Sequence, residues 1–140
     1  MAYQKKNITE PGGLIVGHVD YDDACSEKDF ERRFRNHISK LPSSYKPPFG
    51  VFEDLEVKKE HRGNDYSRIG IKDVDTYFQN AGVKGAILRV APAESTTEGW
   101  SVTLKKIKWL IKLYESVGWS LLPRDDSKKY SEPYLMVKEY

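Results

Sequence analysis

The sequence predicts one domain of the α/β or α+β class, with helices packed over a mixed central sheet. Its 140 residues, of which 39% are hydrophobic and 31% charged, suffice for one core and are typical of a globular protein. Short β-branched segments alternate with longer segments whose apolar residues recur at helical spacing, as in proteins that layer helices on a sheet. The last two strand-like segments are joined by a loop and should pair antiparallel.

The N-terminal part predicts a tail, a strand and a helix. Residues 1–11 are polar and end in Pro-Gly-Gly, so we expect a flexible tail. The β-branched segment 14–19 predicts a strand. Ser26, with Asp29 three residues later, resembles a capping box at the start of a helix. The apolar residues of that helix recur at helical spacing up to Pro42, and they are Phe30, Phe34, Ile38 and Leu41.

The middle of the chain predicts a strand followed by a helix. In VFEDLEVKK (51–59) the residues alternate, which puts Val51, Glu53, Leu55 and Val57 on one face of a strand and Phe52, Asp54 and Glu56 on the other. A polar segment rich in turn formers follows, and then a helix over Ile71–Ala81 that ends at Gly82.

The C-terminal part predicts a strand at 86–90, a third helix at 102–116 and two closing strands, at 119–122 and 134–140. The apolar stripe of the third helix comprises Leu104, Ile107, Leu110, Ile111 and Tyr114. Its other face carries Lys105, Lys108 and Lys112, which by default are solvated, together with Trp109. An exposed tryptophan beside lysines is also found on partner-binding surfaces.

Several classes of protein are disfavoured. A single cysteine, Cys25, excludes an internal disulfide and a four-cysteine zinc site. His18, His37 and His61 have no ligand-like spacing, so no metal site is predicted. The net charge of +2 does not favour a nucleic-acid partner. No apolar run reaches the length of a membrane span and no secretory signal is present, so we expect a cytoplasmic protein.

Three motifs together resemble the GNAT superfamily of acyl-CoA N-acyltransferases. They are LEVKKEHRGNDYS (55–67), GVKGAILRVAP (82–92) and LYESVGW (113–119), of which the last is the most specific. The resemblance covers residues 51–140 and implies a mixed central sheet flanked by helices. Only about fifty residues precede the first motif, where the family usually has more chain, so we expect a shortened N-terminal part.

The resemblance implies a site for acetyl-CoA as co-substrate. In the family the pantetheine arm pairs with the main chain of the strand that is here Leu55, Glu56 and Val57. A segment of the type Arg-x-x-Gly-x-Gly/Ala at a helix N-terminus binds the pyrophosphate. In this chain the segment reads Arg62, Gly63, Asn64, Asp65, Tyr66 and Ser67, and the residue that follows it, Arg68, is included in the predicted site. Asp65 and Ser67 depart from the family pattern, so either the site is weakened or Asp65 points away from it.

The resemblance also implies catalytic residues. Acylation of an amine needs one proton removed from nitrogen and another returned to the departing thiolate. Tyr114 falls at the position of the family's acid, and a phenol is neutral at pH 7 and able to donate. Glu53 and Glu56 are the candidate bases, of which we prefer Glu53. The alternative role for Tyr114 is a core position, because it lies on the apolar stripe.

Two functions follow from the resemblance. The first is transfer of an acetyl group from acetyl-CoA to an amine, on a small molecule or on a protein lysine or N-terminus, in a chain compatible with a homodimer. The second is a catalytically inactive GNAT-like binding or inhibitor protein of the kind that phages encode, which acts through a protein partner. Asp65 and Ser67 favour the second. A V-shaped gap between the strands around Val57 and Val90 would favour the first, and a filled gap would exclude a coenzyme A site.

Overall fold

The computed structural model describes residues 3–35, 41, 45–91, 99–125, 127 and 132–140. Within these residues the order of elements is β1 (Gln4–Thr9), β2 (Ile15–Cys25), α1 (Glu27–Phe34), β3 (Phe49–Val57), α2 (Tyr66–Asn80), β4 (Gly85–Arg89), α3 (Trp100–Glu115), β5 (Ser120–Leu121) and β6 (Leu135–Glu139). A short 3₁₀ turn (Lys59–His61) lies between β3 and α2.

The strands form one six-stranded sheet in the order β1-β2-β3-β4-β6-β5. Strands β3 and β4 are parallel and are connected through α2, whereas every other neighbouring pair is antiparallel. The predicted mixed sheet flanked by helices is confirmed, as is the antiparallel pairing of the last two strands.

Helices cover both faces of the sheet. On one face, α2 and α3 pack over a core that contains Phe52, Phe78, Leu88 and Met136. On the other face, α1 packs over a second core, where the ring of Phe30 stacks on that of Phe49 with centroids 4.1 Å apart. The sheet is therefore the common wall of two apolar layers.

The prediction of a flexible tail is wrong for Gln4–Thr9. These residues form β1, an edge strand paired with β2 from Gln4 opposite Tyr21 to Thr9 opposite Ile15. Only Ile8 in this strand is buried, and it is fully so. An edge strand with one apolar anchor looks like a polar tail in the sequence, because main-chain pairing leaves no hydrophobic pattern. Strand β2 is correspondingly longer than predicted.

The first helix is shorter than predicted. Ser26 caps α1, since its side chain accepts a hydrogen bond from the main-chain N–H of Asp29 at 3.2 Å, as the capping box requires. The helix ends at Phe34, and Leu41 lies outside it. The predicted helical position Ile38 falls outside the described residues.

The predicted alternation along β3 is wrong because the strand contains a bulge. Opposite β2, Asp54 faces Asp20 but Phe52 faces Tyr21, so Glu53 is an extra residue in the pairing. Phe52 and Val57 consequently lie in the same core although they are five residues apart. The bulge turns Asp54 away from the face that Phe52 occupies.

Candidate functional site

Strands β3 and β4 pair over only three residues. Gly50, Val51 and Phe52 lie opposite Ala86, Ile87 and Leu88, and beyond them no pairing continues between these strands in the described chain. Strand β3 runs on to Val57, whereas Val90, just after β4, donates its main-chain N–H to Tyr134 on the far side. A gap therefore opens between the two strands beyond Phe52 and Leu88, and among the described residues it is not filled.

The gap opens into a cleft of about 920 Å³, which we call the β3–β4 cleft. Its walls are the second half of β3, residues 61–63 and 65–68, the end of β4 from Leu88 onward and one side of α3. Of the predicted cofactor-binding residues, Glu56 and Asn64 do not line it. The lining residues from that prediction are Leu55, Val57, Arg62, Gly63, Asp65, Tyr66, Ser67 and Arg68.

Tyr114 lies at the inner end of the β3–β4 cleft. Its ring meets Trp119 and Phe52 edge-on, and only 7% of the residue is exposed. Burial raises the pKa of its hydroxyl above the ordinary value, and the charge of Asp54 raises it further. Among the described residues nothing hydrogen-bonds to this hydroxyl. Tyr114 is thus both a core residue and a residue of the cleft. Its phenol stays protonated at pH 7.

The N-terminus of α2 faces the β3–β4 cleft without a side-chain cap. The residue that precedes the helix is Asp65, and its side chain accepts no capping hydrogen bond. The first main-chain N–H groups of α2 and the positive end of its dipole are therefore open to an anion. This arrangement suits a phosphate group.

Asp65 occupies a backbone conformation that usually favours glycine. Its φ is 64°, in the left-handed region, which aspartate tolerates better than most residues do. Its carboxylate pairs with Arg68, whose Nε lies 3.3 Å from Oδ1. Asp65 thus keeps the turn that glycine would make and stays at the cleft, with its charge partly offset by Arg68.

Arg62 links the loop to the end of β3. Its Nε donates to the main-chain oxygen of Val57 at 3.1 Å, while the residue also lines the β3–β4 cleft. This bond fixes the start of the loop against the strand. The guanidinium of Arg62 adds positive charge beside the turn that precedes α2.

The carboxylates near the cleft differ from those expected. Glu53 lines the cleft, but its carboxylate forms an ion pair with Arg33 of α1. Glu56 lies outside the cleft, 3.8 Å from His18. Asp54 lines the cleft with a side chain that is 52% exposed, and sequence reasoning missed it because the bulge at Glu53 leaves no signature in the sequence.

Part of the lysine face of α3 also lines the cleft. Lys105, Lys106 and Lys112 face it, as does Trp109, whereas Lys108 points elsewhere. All four lysines are exposed, as the default interpretation of a solvated face expects, and three of them also border the cleft. Their helical spacing was visible in the sequence, but which side of α3 would border the cleft was not.

His18, Asp54 and Glu56 bring one imidazole and two carboxylates within 4.8 Å of one another across β2 and β3. Histidine spacing along the chain does not reveal this cluster, because the residues meet by strand pairing. Exposed acidic groups gather in this way in many proteins without an ion, so the cluster does not by itself define a metal site.

Within the described ranges, none of the helices combines the length and apolar character of a membrane span.

The sequence matches no protein-family model and no curated protein. The structure, in contrast, is similar to solved structures of the GNAT family. A GNAT-family protein from Desulfovibrio desulfuricans aligns with a TM-score of 0.60 and 12% identity, over 98% of this chain and 69% of its own. A GNAT-family acetyltransferase from Staphylococcus aureus aligns with a TM-score of 0.57 and 11% identity, over 98% of this chain and 67% of its own.

The PaiA N-acetyltransferase from Thermoplasma acidophilum, solved in complex with coenzyme A, aligns with a TM-score of 0.56 and 11% identity. That alignment covers 100% of this chain and 62% of the PaiA chain. The chain thus spans about two thirds of the length of the structures it resembles. The resemblance seen in the sequence is confirmed at the level of the fold: this chain has the GNAT fold.

Proposed function

We propose that this protein is an N-acyltransferase that moves an acetyl group from acetyl-CoA to an amine on a small molecule or a protein. The observation that carries the proposal is the β3–β4 cleft, which runs from the uncapped N-terminus of α2 to Tyr114. A structure of the same fold with coenzyme A bound, that of PaiA, supports a ligand of this class.

The pantetheine arm lies along β3 in the gap. Beyond Phe52 the β4 side of this strand has no partner strand among the described residues, so its main-chain groups remain available to pair with an amide-bearing arm. The pyrophosphate lies over the first turn of α2, close to Ser67 and Arg68. The thioester then reaches the inner end of the cleft, and main chain near the bulge at Glu53 polarises its carbonyl.

The reaction is a direct attack within a ternary complex. The amine nitrogen attacks the thioester carbonyl carbon, a C–N bond forms, and the C–S bond breaks with its electron pair on sulfur. Tyr114 donates its proton to that sulfur and recovers one from water. The apolar surroundings raise the pKa of Tyr114 and so keep the proton on its hydroxyl until negative charge develops on the departing sulfur.

The proton that the nitrogen loses goes to a carboxylate. The sequence favours Glu53, but its ion pair with Arg33 holds that group towards α1. Asp54 is half exposed and lines the same cleft as Tyr114 without a lysine or arginine partner among the described residues. We assign the role of base to Asp54 and retain Glu53 as the alternative.

A calorimetric titration with acetyl-CoA tests the proposal. We expect saturable binding by the unmodified protein and at least tenfold weaker binding by Ser67→Glu, because a carboxylate in the first turn of α2 would repel the pyrophosphate. Ser101→Glu is the matched control, since Ser101 also lies in the first turn of a helix but does not line the cleft. Absence of binding at millimolar acetyl-CoA would refute the proposal.

The same titration decides the second candidate function. Asp65 places a negative charge where a pyrophosphate would lie, which favours a GNAT-like binding or inhibitor protein that has lost coenzyme A. That alternative predicts no binding of acetyl-CoA and no effect of Ser67→Glu. It also predicts specific capture of a protein partner, which the acyltransferase proposal does not require.

A further inference from the structure

Trp109 is the most exposed large hydrophobic side chain among the described residues. It is 62% exposed on α3 and also lines the β3–β4 cleft. An indole in water leaves a wide apolar face without a partner. A flat ligand group within the cleft would cover that face.

Positive charge surrounds this indole. Lys105 and Lys106 precede Trp109 by four and three residues, which places all three side chains on neighbouring positions of the helix surface. Both lysines line the cleft, and no acidic side chain among the described residues pairs with either. A flat aromatic face beside two ammonium groups suits a phosphorylated nucleobase ligand.

The polarity of α3 changes along the β3–β4 cleft. Tyr114, Leu113 and Leu110 border its inner part together with Lys112, whereas Trp109, Lys106 and Lys105 border the part nearer the start of the helix. At 1.5 Å per residue, Trp109 lies about 8 Å and Lys105 about 14 Å along the axis from Tyr114. The helix therefore matches a ligand whose reactive end packs on mostly apolar residues and whose other end is anionic and aromatic.

From these observations we infer that Trp109, Lys105 and Lys106 bind the 3′-phosphorylated adenosine end of the acyl donor. Adenine stacks on the indole of Trp109, and the two ammonium groups contact the 3′-phosphate. The inference rests on the proposed function, since it assigns the far end of the ligand whose thioester lies at Tyr114. Trp109, Lys105 and Lys106 would then give the protein its preference for acetyl-CoA over acyl thioesters that lack the nucleotide.

The first test compares acetyl-CoA with S-acetylpantetheine, which lacks the nucleotide. For Trp109→Ala we expect acetyl-CoA binding to weaken by roughly 5- to 150-fold, the range expected for one stacked base. Trp109→Phe should recover part of that loss, because it retains an aromatic face. S-acetylpantetheine, measured by competition, should bind all three proteins equally. Since Trp109 is mostly exposed, thermal unfolding should be unchanged.

The second test concerns the 3′-phosphate. The double variant Lys105→Gln/Lys106→Gln should lose most of the preference for acetyl-CoA over its 3′-dephospho form. Lys108→Gln is the matched control, because Lys108 lies on the same helix and does not line the cleft. It should keep the full preference at the same salt concentration.

The outcomes separate the inference from the proposed function. If acetyl-CoA and S-acetylpantetheine both fail to bind the unmodified protein, the proposed function fails and the inference with it. If acetyl-CoA binds but Trp109→Ala leaves its affinity unchanged, the inference alone is overturned. An equal loss for acetyl-CoA and S-acetylpantetheine would also overturn it, since Trp109 would then contact the arm and not the base.

Discussion

The ring of Tyr114 meets the ring of Phe52 edge to face, with centroids 6.2 Å apart and planes at 86°. Phe52 is the last residue of β3 that pairs with β4, opposite Leu88. The contact therefore places the phenol where the two strands begin to separate. A tyrosine on a helix is held at the vertex of a gap between strands, which is where a thioester in that gap would react.

Replacing Tyr114 with phenylalanine removes the hydroxyl and retains the ring that packs on Phe52. We expect kcat to fall by roughly 100-fold or more, because the departing thiolate loses its proton donor. The dissociation constant for acetyl-CoA should change little. Steady-state kinetics with calorimetry on the same preparation checks both values, and an unfolded or unstable variant would show that the hydroxyl has a structural role instead.

The assignment of the base predicts different effects for two adjacent carboxylates. Asp54→Asn should lower kcat by roughly 100-fold with stability preserved, because Asp54 is exposed and has no lysine or arginine partner among the described residues. Glu53→Gln should instead lower the free energy of unfolding by about 1–3 kcal/mol, since it removes the ion-pair partner of Arg33. The opposite pattern, with catalysis lost in Glu53→Gln, would restore Glu53 as the base.

The position of Asp65 just before α2 predicts that its carboxylate weakens the binding of acetyl-CoA. Asp65→Gly keeps the left-handed turn at φ 64° and removes a carboxylate near the pyrophosphate. We expect acetyl-CoA to bind about two- to fivefold more tightly, as for removal of an unfavourable charge at a helix N-terminus. Asp65→Asn, which also tolerates this backbone conformation, should give a similar gain. Weaker binding by both variants would show that the carboxylate contributes to the site.

The buried tyrosines predict a loss of stability at alkaline pH. Burial raises the pKa of Tyr45, Tyr114 and Tyr140 in the folded protein above the ordinary value. Above about pH 10 the unfolded chain loses phenolic protons that the folded chain keeps. The unfolded state then binds fewer protons, so the free energy of unfolding falls as pH rises, and below that pH the effect is absent.

Denaturant unfolding at several pH values measures this slope. Each buried tyrosine should contribute a fall of about 1.4 kcal/mol per pH unit between its unfolded and folded pKa values. Tyr114→Phe should therefore unfold with a shallower dependence on pH than the unmodified protein. Identical slopes for the two proteins would mean that Tyr114 titrates normally and is not buried as described.

Much of the fold was predictable because periodicity and caps act locally. The helical stripe that includes Tyr114, the cap at Ser26 and the stop at Gly82, whose φ is 77°, all follow from nearby residues. The order of motifs also predicted that Tyr114 and the loop at Arg62 belong to one site, and both line the same cleft. Each of these features depends on residues close in the chain.

The remaining features depend on pairing between distant segments. The edge strand Gln4–Thr9 exists because β2 offers main-chain partners, and the bulge at Glu53 exists because β2 and β3 differ in register. Neither leaves a hydrophobic pattern in the sequence. The cleft-facing side of α3 likewise depends on how the helix rotates against the sheet. The exposure of Trp109 was therefore predictable, whereas the positions of Trp109 and Asp54 at the cleft emerge only from the structure.

The most direct test of the account is a crystal structure of the protein with coenzyme A bound. We expect the pantetheine arm between β3 and β4, with the thiol sulfur at hydrogen-bonding distance from the Tyr114 hydroxyl and the pyrophosphate over the N-terminus of α2. Coenzyme A bound elsewhere, with the gap beyond Phe52 left empty, would contradict it.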